Sequence, residues 1–173
     1  MSTIAMPLPI LAGYPPDDTA GSASADLTIQ VTSDATDPQP RWPELAFDKD
    51  TDEHWYWAFM MPSNYASDPV LRVFWTANAT AGGVTWGAHV LAITAGDSAS
   101  IRAEAFDSAN VVDDDAPGTE YYPLYADISL SNANSVVAGD HVVLALFRDV
   151  SDEDDDMDAD AIVLDCELRF TST

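Results

Sequence analysis

An all-β fold, an antiparallel β-sandwich, is the class this sequence predicts, on three observations. Short runs alternate apolar with polar residues, turn residues separate them at regular spacing, and no segment reads as a convincing amphipathic helix. The chain has 173 residues, nearly half of them apolar. A chain of this size buries roughly 70% of its unfolded surface, which is enough for one core. The expectation is about eight strands in a single domain over residues 27–173, preceded by an extended, proline-containing arm over residues 1–26.

The arm lacks a period. Met6-Pro-Leu-Pro-Ile-Leu11 and Tyr14-Pro-Pro16 are extended, because proline fixes φ and biases its predecessor away from helix, and Gly21-Ser-Ala-Ser24 is linker chemistry. Two readings stand: a solvated tail, or an arm whose Leu8, Ile10, Leu11 and Tyr14 order against a neighbouring subunit. The second follows from the need to cover apolar side chains in a very acidic chain.

Leu27-Thr-Ile-Gln-Val-Thr32 is the first clean strand, with Leu27, Ile29 and Val31 on one face. Residues 34–43 read as a proline-rich loop and 44–47 as a short strand. His54-Trp-Tyr-Trp-Ala-Phe-Met-Met61 follows, with Trp55, Trp57, Phe59 and Met61 on one face at the strand period of two. Residues 71–76 place Val73 and Trp75 opposite Arg72 and Phe74. Further strands are expected at 84–94, 101–106, 120–130, 141–148 and 161–171, with acidic loops around Asp113-Asp-Asp115 and over 149–160. In the last strand Cys166 should share a buried face with Ile162, Leu164, Leu168 and Phe170. Ala95-Gly-Asp97 and Ala138-Gly-Asp140 mark turns, since glycine permits positive φ and aspartate bonds its own backbone.

Thirty acidic residues against six basic ones give a formal charge of −24, and Lys49 is the one lysine. Such a surface repels phosphate backbones, so no nucleic-acid partner is expected. It suits surroundings rich in salt or cations. No window approaches the ~18 apolar residues of a membrane span, so no membrane partner is expected either. A single cysteine excludes an intramolecular disulfide.

Catalytic and metal signatures are weak. Asp154, Asp156 and Asp158 have the one-three-five spacing of a calcium loop, but Ala159 stands where that loop needs glycine and Asp165 where it needs a bidentate glutamate. Gly96-Asp-Ser98 resembles an esterase nucleophile block without the histidine base that a serine requires. His54, His89 and His141 all fall in strands without close ligand spacing. No catalytic residue, metal or cofactor is therefore expected. Trp55, Tyr56, Trp57, Trp75 and Trp86 offer either a sugar-stacking platform or core packing; their alternation with Phe59, Met61 and Val73 favours the core.

One set of spaced motifs carries a resemblance. Phe47-Asp48, Thr51-Asp52-Glu53, the aromatic strand ending Met61-Pro62, Tyr65-Ala66-Ser67, Leu71-Arg-Val-Phe-Trp75, Asn78-Ala-Thr80 and Val84-Thr-Trp86 open it. Ala138-Gly-Asp140, Val142-Val-Leu-Ala-Leu-Phe-Arg-Asp149 and the strand over 164–170 close it. Together they resemble the small structural proteins of tailed bacteriophages and prophages, over roughly residues 44–172. The resemblance implies a jelly-roll sandwich on a virion. Its main form is a decoration or cement protein on the outer capsid surface, a homotrimer bound to the major capsid protein. The alternative is a tail-fibre or receptor-binding module that recognises host glycans through aromatics in a groove.

Overall fold

The computed structural model describes residues 1–17, 23–32, 37–97 and 100–173, and among these eleven strands form two facing sheets. In chain order they are β1 (Thr3–Pro7), β2 (Ala23–Ser24), β3 (Asp26–Val31), β4 (Arg41–Phe47), β5 (Glu53–Met60) and β6 (Tyr65–Ala77). β7 (Gly83–Ile93), β8 (Asn110–Asp115), β9 (Leu124–Ser129), β10 (His141–Arg148) and β11 (Ala161–Ser172) follow. One sheet runs β3-β4-β11-β6-β9, with β1 also on β11; the other runs β2-β5-β10-β7-β8. Strands β4 to β11 supply β4-β11-β6-β9 to one layer and β5-β10-β7-β8 to the other, so strands distant in sequence lie side by side. That is jelly-roll connectivity.

The expected count of about eight is thereby corrected to eleven. β1 and β2 arise in the stretch expected as an arm, and β8 in the stretch read as acidic loop, while residues 101–106 form no strand. β8 escapes a hydrophobic pattern because, among the described residues, it is the edge of its sheet, paired with β7 alone, and an edge strand tolerates charge. β4 begins at Arg41, inside the expected loop. Residues 34–36 of that loop, 18–22 of the arm and Ser98 of the esterase-like block lie outside the described residues.

The alternation of β5, β6 and β7 sends Trp57, Trp75 and Trp86 into the space between the sheets, each at most 2% exposed. Trp86 meets Phe47 and Trp75 edge-on at 5.3 and 5.7 Å between ring centroids. Edge-to-face packing suits the ring quadrupole. In β11 the expectation of one continuous apolar face is corrected. A bulge between Val163 and Asp165 shifts the register on β6, so Ala161 and Val163 point inward before it and Cys166, Leu168 and Phe170 after it. Ile162 and Leu164 are left half-buried on the other face, as one extra residue dictates.

The N-terminal stretch belongs to this sandwich. β1 runs antiparallel to β11 from Thr3 opposite Thr171 to Pro7 opposite Glu167, and Leu8 N–H donates to the Cys166 carbonyl at 2.8 Å. Leu8 and Ile10 are 4% and 2% exposed within the chain's own core. The Pro9 and Ile10 carbonyls accept the indole N–H groups of Trp57 and Trp55 at 3.0 and 3.1 Å. Prolines that block helix and leave carbonyls free thus suit this segment to a sheet margin. Of the four residues expected to meet a partner, Leu8 and Ile10 are engaged at home, while Leu11 and Tyr14 are 61% and 42% exposed.

Candidate functional site

On β5 the residues that alternate with the buried Trp55 and Trp57, namely His54 and Tyr56, must point outward. The pairing of β10 with β5 and β7 then sets the rows of the outer face. Ala145 lies between Tyr56 and His89, and Phe147 between His54 and Gly87. Gly87 has no side chain to obstruct its neighbour: a Cβ there would sit 2.1 Å from the Phe147 ring. Phe147 therefore lies flat across β7, stacked between His54 at 5.3 Å and His89 at 5.1 Å.

Two segments from outside the sheet complete this face. Tyr14 exchanges backbone hydrogen bonds with Tyr56 at 2.9 and 3.0 Å, which stacks the two phenol rings at 5.8 Å. The segment after β7 folds back over the sheet, held by Asp107 N–H to the Val90 carbonyl at 3.0 Å and by His89 Nδ1 at 3.0 Å from the Asp107 carbonyl. It lays Phe106 beside Tyr56 at 6.1 Å with only 9° between the rings. Between the two segments runs a groove of about 300 Å³ lined by Tyr14, Pro15, Pro16, Tyr56, Phe106 and Val143, with Asp17 at its rim. Burial, and then the neighbouring Tyr56 hydroxyl, raise the pKa of Tyr14, so its hydroxyl stays a hydrogen-bond donor at neutral pH. Burial, and then His89, lower the pKa of His54 below its ordinary value against the opposing pull of Asp52.

A second concave region of about 430 Å³ lies at the β7–β8 edge and is acidic. Ligand atoms of Asp113, Asp152 and Asp154 come within 4.8 Å of one another, an arrangement able to hold a hard cation. This is a different set from the expected one-three-five spacing: Asp156 accepts Gly83 N–H at 2.7 Å, and Asp158 pairs with Lys49 at 2.8 Å. Asp114 accepts the Trp75 indole N–H at 2.8 Å, and burial, only partly offset by that bond, raises its pKa. The loop over 149–160 is anchored from beneath. Arg148, fully buried, makes a two-pronged ion pair with Asp155 and donates to the Met157 and Ala159 carbonyls. A larger cleft of about 610 Å³ beside residues 65–70 and 129–136 offers mainly small and polar side chains and no stacked rings.

Of the aromatics weighed in the sequence, Trp55, Trp57, Trp75 and Trp86 are in the core and Tyr56 alone reaches the outer face. Its phase against Trp55 and Trp57 was the available signal. Phe106 was read as strand, and nothing local marks it as a ring that returns over the sheet. Gly87, a glycine inside a strand, is the kind of residue that flags a close approach.

No family model matches the chain, and no curated protein matches it. Among solved structures it is similar to TmCBM27, a carbohydrate-binding module described for mannan recognition, at 7% identity and a TM-score of 0.48, over 99% of this chain and 100% of that one. It is also similar to the CBM22-1 xylan-binding domain of Paenibacillus barcinonensis Xyn10C, at 10% identity and a TM-score of 0.43 over 94% and 95% of the two chains. A third is the family 11 module of Clostridium thermocellum Lic26A-Cel5E, at 8% identity and a TM-score of 0.45 over 100% and 97%. Likenesses this loose carry no argument about ligand, and the fold assignment rests on the strand order given above.

Proposed function

We propose that this jelly roll is a non-catalytic glycan-recognition module that holds a neutral sugar chain in the groove between Tyr14, Tyr56 and Phe106. The observation that carries the reading is the row of three neighbouring rings over one concave strip. Sugar rings present C–H faces that pack on aromatic faces, while tyrosine hydroxyls supply the polar handle that orients a hydroxylated ligand. Tyr14 and Phe106 are exposed enough to meet it. Thirty acidic residues disfavour sulfated or uronate-rich chains, and Asp17 can accept from sugar hydroxyls at the rim. Of the three histidines, His54 and His89 are packed against Phe147.

The capsid-decoration reading, with the major capsid protein as partner, rests on the sequence resemblance. Two of the residues that would reach a partner, Leu8 and Ile10, are buried in the chain's own core. The test is an array of neutral and anionic glycans probed with the full chain and with Tyr56→Ala. Binding to neutral chains that is lost in the variant is expected; the absence of any hit overturns the reading.

A further inference from the structure

Past Asp26, β3 has neither the charges nor the prolines that usually keep sheet edges apart. Residues 27–32 carry no charge and no proline, in a chain with thirty acidic residues. Leu27, Ile29 and Val31 are 43%, 58% and 39% exposed. They share a face with Leu45, which pairs with Leu27 and is fully buried, so β3 overhangs the region that the opposite sheet covers.

The backbone of β3 is polarised in the same sense. Thr32 N–H donates to the Pro40 carbonyl, so by the alternation of an antiparallel ladder Thr28 and Gln30 also bond inward to β4. Ile29 faces Pro43, which has no N–H to give, as suits a position without ladder bonds. The N–H and C=O groups of Leu27, Ile29 and Val31 therefore point to the outer edge, where no described strand pairs with them. The residues with uncovered apolar side chains are the same ones that have open backbone groups.

We propose that a second copy of this chain closes this edge, with β3 antiparallel to β3 about a two-fold axis through Ile29. The sequence is self-complementary about that point. Ile29 meets Ile29, Leu27 meets Val31 of the second copy, and Thr28 meets Gln30, so apolar lies against apolar and polar against polar. Each outward residue gives and takes one bond, about six in all. Asp26 falls beyond the paired stretch, so no two carboxylates meet across the axis. This symmetry singles out a second copy over an unrelated strand. The groove lies on the other sheet and stays open, so a dimer presents two grooves and gains avidity on a polymeric ligand.

The charge of −24 on each copy opposes association, so dimerisation strengthens with salt. The test is sedimentation velocity of the full chain in about 0.1 M and about 1 M sodium chloride, where the Debye length falls from ~10 to ~3 Å. A dimer favoured at the higher salt is expected. Ile29→Lys, which sets two ammonium groups face to face, should sediment as a monomer at both salts with an unchanged circular dichroism spectrum. Ile29→Cys should yield a disulfide-linked dimer on oxidation, and Cys166, 4% exposed, should not interfere. A chain monomeric at both salts overturns the proposal. So does a dimer that survives Ile29→Lys while Ile29→Cys fails to cross-link.

Discussion

The aromatic groove and the acidic cleft share the five-stranded sheet, yet they are held in shape by different means. The cleft is centred on one buried ion pair: the Arg148 and Asp155 side chains are 0% and 2% exposed, Arg148 also binds carbonyls of the loop over 149–160, and backbone bonds from Asp149, Asp156 and Met157 to β7 hold the rest of that loop. Among the described residues the groove has no ion pair. Its floor is Tyr56 and Val143, the Tyr56 ring stacked with Tyr14 and Phe106, and its walls are two segments pinned by backbone hydrogen bonds at Tyr14 and Asp107. A region centred on a buried charge pair is most sensitive at that pair, whereas a stacked face weakens by degrees.

Removing one charge therefore gives the largest expected effect. Arg148→Met leaves Asp155 uncompensated and should lower unfolding stability by about 3–5 kcal/mol in a denaturant titration. Adding Asp155→Leu should recover only part of that loss, because it removes the orphaned carboxylate but leaves the Met157 and Ala159 carbonyls and the Thr85 N–H without their partners. On the aromatic side, Tyr56→Ala removes the ring that both neighbours touch, and should weaken glycan affinity by about 2 kcal/mol, roughly thirtyfold, with little change in fold. Gly87→Ala pushes on the Phe147 ring and should cost about 1–3 kcal/mol of stability, with a smaller drop in affinity.

A gentler probe is pH. The folded pKa of His54 lies below its ordinary value because burial disfavours the charged ring. Above about pH 6.5 both states are neutral and the residue adds no pH dependence. As pH falls below that, the unfolded chain takes the proton first, so stability is lost until the folded pKa is reached. His54→Phe should flatten this part of the stability profile. The smallest effect belongs to Lys49, whose pairs with Asp50 and Asp158 are solvated; Lys49→Gln should leave the thermal midpoint unmoved.

Much of the fold was legible because the chain writes its inner face at a period of two. Trp55, Trp57, Val73 and Trp75 fall where that period puts them. What it could not show were elements specified by neighbours. β1 is a strand because β11 offers an edge and the two core tryptophans offer indole donors to Pro9 and Ile10. β8 is a strand although its last three residues are aspartates, because the edge of a sheet leaves Asp113 and Asp115 exposed while the half-buried Asp114 accepts the Trp75 indole N–H. The bulge at Leu164 is invisible to a periodic reading, which runs straight through it. Of the groove, the outward phase of Tyr56 could be read in sequence, whereas Tyr14 and Phe106 reach it from segments about forty and fifty residues away through tertiary bonds that no local pattern encodes.

The central claim is that the ring-lined groove is where a sugar binds, and the most direct measurement is an NMR titration of the aromatic-labelled chain with a panel of neutral oligosaccharides. Shifts that saturate on Tyr14, Tyr56 and Phe106 while the buried tryptophan signals stay still are the predicted result. No shift with any sugar, or shifts confined to residues beside the cleft at 65–70 and 129–136, would contradict it.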